Sequence, residues 1–227
     1  YINDAFSCSH RKQASIHNIT KFVKKSFAGP LLKKEINAIN LVIQNKKKPV
    51  ICIIGGSKIS SKISVISSLI EKVNCLIIVG AMANNFFVYK NLKIGKSLIE
   101  ENTGEIIRKI YKKAAGNKCE ILIPEDCMVS SSFNGIGKSK SINNIEKDEI
   151  ILDIGPKTIK KIKNKISQSN TVLWNGPAGY FENKNFMIGT IAIAKTISKN
   201  TIDKSLTSIL GGGDTLSAVN KCKTKLS

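Results

Sequence analysis

Short, unbroken apolar runs recur along the chain, separated by longer stretches in which apolar residues return every three or four positions. Val50–Ile54, Cys75–Val79, Glu120–Ile123, Thr171–Trp174 and Leu206–Leu210 are four or five residues long and rich in Ile, Val and Leu. Such runs predict strands buried on both faces, as in a parallel sheet. Between them, Ser60–Val73 places Ile63, Ile66, Leu69, Ile70 and Val73 on one face of a helix. Thr103–Asn117 does the same with Ile106, Ile107, Ile110, Tyr111 and Ala114. Pro156–Ser169 opens with a proline suited to a first helical turn, and Met187–Lys199 repeats the apolar stripe. Strands alternating with helices predict an α/β fold, a doubly wound parallel sheet with helices on both faces.

The first stretch breaks this rhythm. Tyr1–Lys25 has no sustained period and ends in a basic run, after which Pro30–Ile43 has the pattern of a helix opening on proline. The tract Asn45-Lys46-Lys47-Lys48-Pro49 punctuates the chain before the first buried strand and predicts a domain boundary near residue 45. The residues before it then read as the remnant of a second domain. Tyr1 is no initiator, and no charged-then-apolar leader pattern follows it, so the chain is expected to begin in mid-protein.

Composition adds limits. Hydrophobic residues make up 42% of the 227, which fits a soluble globular protein, and no apolar run approaches the roughly 20 residues needed to span a bilayer. Lysine and arginine number 36 against 16 acidic residues, a formal charge of +20. Such a charge suits a basic nucleic-acid-binding module, and that alternative stands. Against it, Arg11 and Arg108 are the only arginines and aromatics are 6%, whereas base-reading surfaces rely on arginine forks and stacking rings. Lysines scattered through Ile- and Asn-rich sequence fit a compositional drift better. Cys8, Cys52, Cys75, Cys119, Cys127 and Cys222 form no CxxC pair and no metal-ligand spacing with His10 or His17. Free thiols fit a reducing compartment, hence a cytoplasmic protein.

The glycines change the picture most. The first strand runs into Gly55-Gly56-Ser57-Lys58, the second into Gly80-Ala81-Met82, the fourth into Asn175-Gly176-Pro177-Ala178-Gly179, the fifth into Gly211-Gly212-Gly213-Asp214-Thr215. In an open α/β sheet ligands sit beyond the carboxyl ends of the strands. Glycine there lets backbone N–H groups approach phosphates, and helix N-termini favour anions. One such turn can be purely structural; four at successive strand ends point to a phosphate or nucleotide. Neither a Walker A loop nor GxGxxG is present. Lys58 and Lys62, at i and i+4, can point one way at a helix entrance. Asp214 can hold Mg²⁺ beside bound phosphates or cap the following helix.

Gly55–Lys62, Gly80–Asn84, Ile94–Leu98, Leu152–Pro156, Trp174–Pro177 with Gly179 and Glu182, and Gly211–Thr215 resemble, in order, the motifs of bacterial phosphoglycerate kinases. Asn3–Phe6 with His10-Arg11 is similar to the end of that family's substrate domain. The resemblance covers essentially the whole chain and implies a Rossmann-like three-layer fold. Residues 1–28 would end the substrate domain, 29–45 form the interdomain helix, and 46–227 the nucleotide-binding domain, truncated at its C-terminus. It implies phosphoryl transfer between 1,3-bisphosphoglycerate and ADP, giving 3-phosphoglycerate and ATP in glycolysis, by a cytoplasmic monomer using Mg²⁺, without nucleic acid or membrane. Lys58 and Lys62 would contact the transferring phosphoryl. Gly55, Asn175, Gly212, Gly213 and Thr215 would lie at the nucleotide phosphates, Asp214 would serve the metal, and Glu182 the ribose. Gly80, Phe133 and Leu152 would wall the adenine pocket, while Arg11 and His10 would bind the acid substrate. With most of the substrate domain outside the chain, the fragment alone is expected to be inactive. Another nucleotide-binding α/β domain is the alternative within enzymes.

Overall fold

The computed structural model describes residues 1–9, 11–44, 47–204 and 206–221. The chain divides into two compact units, Tyr1–Lys46 and Lys47–Ser227. In the first, β1 (Ile2–Asn3) pairs in parallel with β2 (Phe27–Ala28), around a series of single helical turns. The helix α1 (Pro30–Gln44) starts on its proline, as the sequence predicts. Asp4 Oδ1 accepts the Leu32 N–H at 2.8 Å, so a carboxylate from outside α1 satisfies one of its first N–H groups. A side-chain carbon on Gly29 would fall 2.4 Å from the Asp4 Cγ, which explains glycine at that point.

The second unit is built on β3 (Val50–Ile54), α2 (Ile63–Ile70), β4 (Cys75–Ile78), α3 (Met82–Tyr89), α4 (Gly104–Gly116) and β5 (Glu120–Leu122). After these come β6 (Asp126–Ser130), β7 (Lys138–Ser141), β8 (Ile150–Ile154), α5 (Pro156–Ser167), β9 (Thr171–Asn175), α6 (Ile188–Lys204), β10 (Thr207–Gly211) and α7 (Gly213–Lys221). The main sheet has the order β10-β9-β3-β4-β5, and every adjacent pair is parallel. This is the doubly wound α/β architecture expected.

Strand geometry sorts the core. Val50, Cys52 and Ile54 of β3 and Leu76 and Ile78 of β4 face Ile66, Ile70, Phe86, Ile107 and Ile110 from α2, α3 and α4. Ile51, Ile53, Cys75 and Ile77 face the other way, onto Ile162, Ile166, Ile193, Ile197 and Val219 from α5, α6 and α7. Alternate residues of a strand point to opposite faces, so an uninterrupted apolar run is what two helical layers demand.

Two features depart from the sequence reading. The helix α3 has six consecutive buried residues, Met82 to Phe87, so it carries no one-sided stripe to betray it. A small antiparallel sheet, β7-β6-β8, also stands apart from the main one. Its edge strand reads Lys-Ser-Lys-Ser and offers no apolar signal. It is joined to the rest through Asp126, whose carboxylate accepts the N–H groups of Lys157 (2.8 Å) and Thr158 (2.7 Å) at the start of α5.

Ile77 has no exposed surface at the middle of the sheet. Ile77→Ala should lower unfolding free energy by about 2–5 kcal/mol, the cost of lost transfer energy plus a cavity, read as a fall in the urea midpoint.

Candidate functional site

The main sheet turns back on itself between β3 and β9: β4 and β5 extend one way from β3, β9 and β10 the other. Ile54 is in register with Asn175, and Asn175 with Gly211, so the loops leaving β3, β9 and β10 emerge together at one edge. Crevices at such reversal points are where open α/β sheets hold ligands.

Glycines there are fixed first by packing. A side-chain carbon on Gly55 would lie 2.1 Å from the Pro177 carbonyl oxygen, and one on Gly176 would lie 2.5 Å from the Gly55 carbonyl carbon. Gly80 (φ +68°) leads the loop after β4 against Gly56 N, 3.0 Å from where its side-chain carbon would be. Three loops therefore meet backbone to backbone. Gly213 is different: nothing lies within 4 Å of its missing side chain, so it opens on free space at the start of α7.

Thr215 ties the same edge together. It is fully buried, accepts the Gly176 N–H at 2.6 Å and donates to Gly211 O at 2.7 Å. Its hydroxyl is thus engaged on both sides. The first N–H of α7 with a backbone partner is that of Leu216, on Gly212 O. The N–H groups of Gly213, Asp214 and Thr215 precede it and face no carbonyl within the helix. Lys62 folds back to donate to Gly55 O and Asn175 Oδ1, both at 2.8 Å. Burial lowers its pKa below the usual lysine value, and the Asp214 carboxylate works in the opposite direction. Lys58 stands in the exposed loop before the single turn Ser60–Lys62, so it is outside the helix whose spacing was used to align it with Lys62. That turn is held by Glu100, which accepts the Ser60 N–H at 3.1 Å and also the Ser60 hydroxyl.

Beside this edge lies a cleft of about 300 Å³. Gly80, Phe133, Leu152, Glu182 and Asp214 line it, five of the residues singled out from the sequence. Gly55, Lys62, Asn175, Gly212, Gly213 and Thr215 do not line it, although Lys62 is close enough to Asp214 to feel its charge; Phe87, Leu98, Phe133, Leu152 and Phe181 give it apolar walls. Phe133 meets Tyr180 edge to face with centroids 5.2 Å apart, and the Tyr180 N–H donates to Leu152 O at 2.7 Å. Asn84, Leu98, Asp153, Tyr180 and Phe181 also line the cleft and were not assigned to it from sequence. Asn84, Leu98 and Asp153 lie within motifs quoted above, but nothing in their spacing marks them as lining. Arg11 is exposed in the first unit, and His10 and Cys222 lie outside the described residues. Among the described residues no three His, Cys, Asp or Glu side chains gather as a metal cluster. The five described cysteines are free. Chemically, the cleft offers largely apolar walls next to a helix start whose first N–H groups lack carbonyl partners.

The family model for phosphoglycerate kinase matches residues 1–227. The chain belongs to the phosphoglycerate kinase family. It is 45% identical to the phosphoglycerate kinase of Wolbachia pipientis wMel over 221 residues, 97% of this chain and 55% of that protein. With the enzyme of Chlorobium phaeobacteroides identity is 41%, over 97% of this chain and 56% of the relative. The phosphoglycerate kinase structure from Coxiella burnetii superposes with a TM-score of 0.87 at 36% identity, covering 98% of this chain and 57% of the other. The chain thus spans about half the length of these phosphoglycerate kinases. Among the described residues no helix is long and apolar enough to cross a membrane.

Two substitutions probe this site. Gly55→Ala forces a side-chain carbon onto a carbonyl oxygen that belongs to rigid backbone, and should cost about 1–3 kcal/mol, measured by urea unfolding. Asp153, 2% exposed, is raised by burial from 3.8 to about 7, against the pull of N–H groups from Gly189 and Ile154. A carboxyl raised on folding holds its proton more tightly in the folded state. Its contribution is present below the unfolded value and is lost as pH rises through about 7. Asp153→Asn removes that dependence, so the variant should gain stability relative to wild type between about pH 5 and about pH 8. Urea midpoints at the two pH values check this.

Proposed function

We propose that the second unit binds Mg-ADP or Mg-ATP in this cleft. We propose further that the chain serves transfer of a phosphoryl group between 1,3-bisphosphoglycerate and ADP, giving 3-phosphoglycerate and ATP. One observation carries the reading: the largely apolar cleft is lined by Asp214 at the start of α7, where the first helix N–H groups lack carbonyl partners and the carboxylate acts on Lys62. The phosphates are assigned to Gly212, Gly213 and the N–H groups of Asp214 and Thr215, where a helix N-terminus attracts anions. Lys62, beside Gly55 and Asn175, supplies positive charge, and Lys58 adds to it from the neighbouring loop. Phe133, Leu152 and Gly80 take the base, and Glu182 at the rim takes the ribose hydroxyls.

Asp214 fits a magnesium site of the kind that uses one protein carboxylate and otherwise phosphate oxygens and water. A single exposed acidic side chain beside the proposed phosphate site, with no acidic cluster among the described residues, is the donor set such a site needs. Bound there, Mg²⁺ would offset the charge of the phosphate chain. Toward ATP the nucleophile is the carboxylate of 3-phosphoglycerate, ionised at neutral pH, so no residue of this chain has to take a proton. Its oxygen forms the new P–O bond as the bond to ADP breaks. Such transfer demands alignment and positive charge around a loose transition state. Lys62, held by two acceptors, is oriented before substrate arrives. Residues 1–28, with Arg11 and His10, are assigned to the acid substrate's domain and 29–45 to the helix joining the two. A monomer in the cytoplasm completes the reading.

Calorimetric titration of the 227-residue chain with Mg-ADP tests the proposal. Binding is expected, weakened by roughly tenfold in Lys62→Ala, while Asp214→Ala should bind ADP with an affinity that no longer responds to Mg²⁺. No binding by the wild-type chain, or binding indifferent to both substitutions, would overturn it.

A further inference from the structure

The turn that carries Lys62 has no cap of its own. Ile59 stands at the cap position ahead of Ser60–Lys62, fully buried and without a side-chain acceptor. A Ser, Thr, Asn or Asp there would hold the first N–H groups of the turn, which have no carbonyl partner within it. Glu100 does so from 40 positions away in the chain. Its Oε2 accepts the Ser60 N–H at 3.1 Å and its Oε1 the Ser60 hydroxyl. Hydrogen bonds from that hydroxyl and N–H hold the carboxyl below the usual carboxylate range, and the Ile59 N–H and the Lys58 ammonium add to the effect.

Glu100 is itself fixed from behind. Its N–H donates to Asn85 Oδ1 at 2.9 Å, and Asn85 is 2% exposed within α3. The Thr103 hydroxyl, at the start of α4, donates to the same oxygen at 3.3 Å. The loop between α3 and α4 is thereby anchored at Glu100 to a buried amide. Lys62 is gripped at both ends as a result. Its ammonium donates to Gly55 O and Asn175 Oδ1, and its own N–H closes the turn on Ile59 O at 3.0 Å. The other side of that turn rests on Glu100.

We propose that Glu100 is a positioning residue: by capping the turn Ser60–Lys62 it sets where the Lys62 ammonium meets the nucleotide phosphates. The inference rests on the nucleotide reading above and deepens it. Glu100 does not line the cleft, so it acts through Lys62 and not on the ligand. Charge that must be aligned before reaction depends on the hydrogen bonds behind it, because a small displacement of the group forfeits much of its effect. A lysine tethered only at its tip would follow any drift of the turn that bears it.

A double-mutant cycle with Lys62→Ala tests this, read by calorimetric titration of the 227-residue chain with Mg-ADP. Glu100→Ala should weaken binding roughly fivefold, the weight of one lost cap. In the Lys62→Ala background the same substitution should change affinity by less than about twofold, since its effect has nothing left to act through. Glu100→Gln keeps an acceptor for the Ser60 N–H and should stay within about twofold of wild type, as should Glu101→Ala, which removes the same charge at the next, exposed position. Equal losses from Glu100→Ala in both backgrounds would make Glu100 a general support of the fold and overturn the role. Wild-type affinity in Glu100→Ala overturns it too, and so does a loss in Glu100→Gln or Glu101→Ala as large as that in Glu100→Ala. All of these leave the nucleotide reading standing, whereas failure of the wild-type chain to bind Mg-ADP removes both. If Glu100→Ala does not fold, Ser60→Ala runs the same cycle: it deletes only an exposed hydroxyl, and its smaller loss should likewise vanish in Lys62→Ala.

Discussion

The loops after β3 and β9 touch backbone to backbone, and the rest of the second unit is arranged around that contact. A side chain at Gly55 or Gly176 would drive the two loops apart, since the atoms in the way are carbonyl groups with nowhere to move. Because these loops are pressed together, Asn175 comes within reach of Lys62, and Thr215 can bridge Gly176 and Gly211. The cleft is shaped by this close approach more than by any single polar group. Interiors packed to crystal density transmit such a constraint instead of absorbing it.

The same contact explains why two classes of glycine share one stretch of sequence. Gly55, Gly80 and Gly176 are required by neighbouring backbone, two of them also by positive φ. Gly213 has neither reason, and the space beside it is open. Sequence alone gives all of them one explanation, close approach of a phosphate. Their surroundings separate the glycines that build the edge from the one that faces outward.

The main sheet was legible because its strands are buried on both faces and so run apolar without interruption. The helices α4 and α5 were legible because one face of each is solvated. What stayed hidden had lost one of these signals. Met82–Phe87 is buried all round, and Lys138–Ser141 is polar on both sides. At the site, residues with distinctive chemistry at strand ends, such as Lys62 and Asp214, could be named from their positions. Asn84, Tyr180 and Phe181 could not, because they reach the cleft from α3 and from the loop beyond Gly179. Their places depend on how elements pack and not on local pattern. The i, i+4 spacing of Lys58 and Lys62 misled for a related reason: the helix starts later than the spacing assumes, at Ile63.

The two ends of the cleft have different mechanical foundations. The end proposed for the phosphates stands on the five-stranded sheet and three interlocked loops. Much of the apolar end is carried by β8 and the loop after β6, parts of a three-stranded sheet with an exposed, polar edge. Its ties to the larger body run through a few identifiable bonds, among them those of Asp126 to α5 and of Tyr180 to Leu152. Changes in the small sheet can therefore reshape the slot while the interlocked loops keep their register. In such a fold, the shape of the slot and the geometry of the loop edge become separately heritable properties, and a lineage can alter the first without disturbing the second.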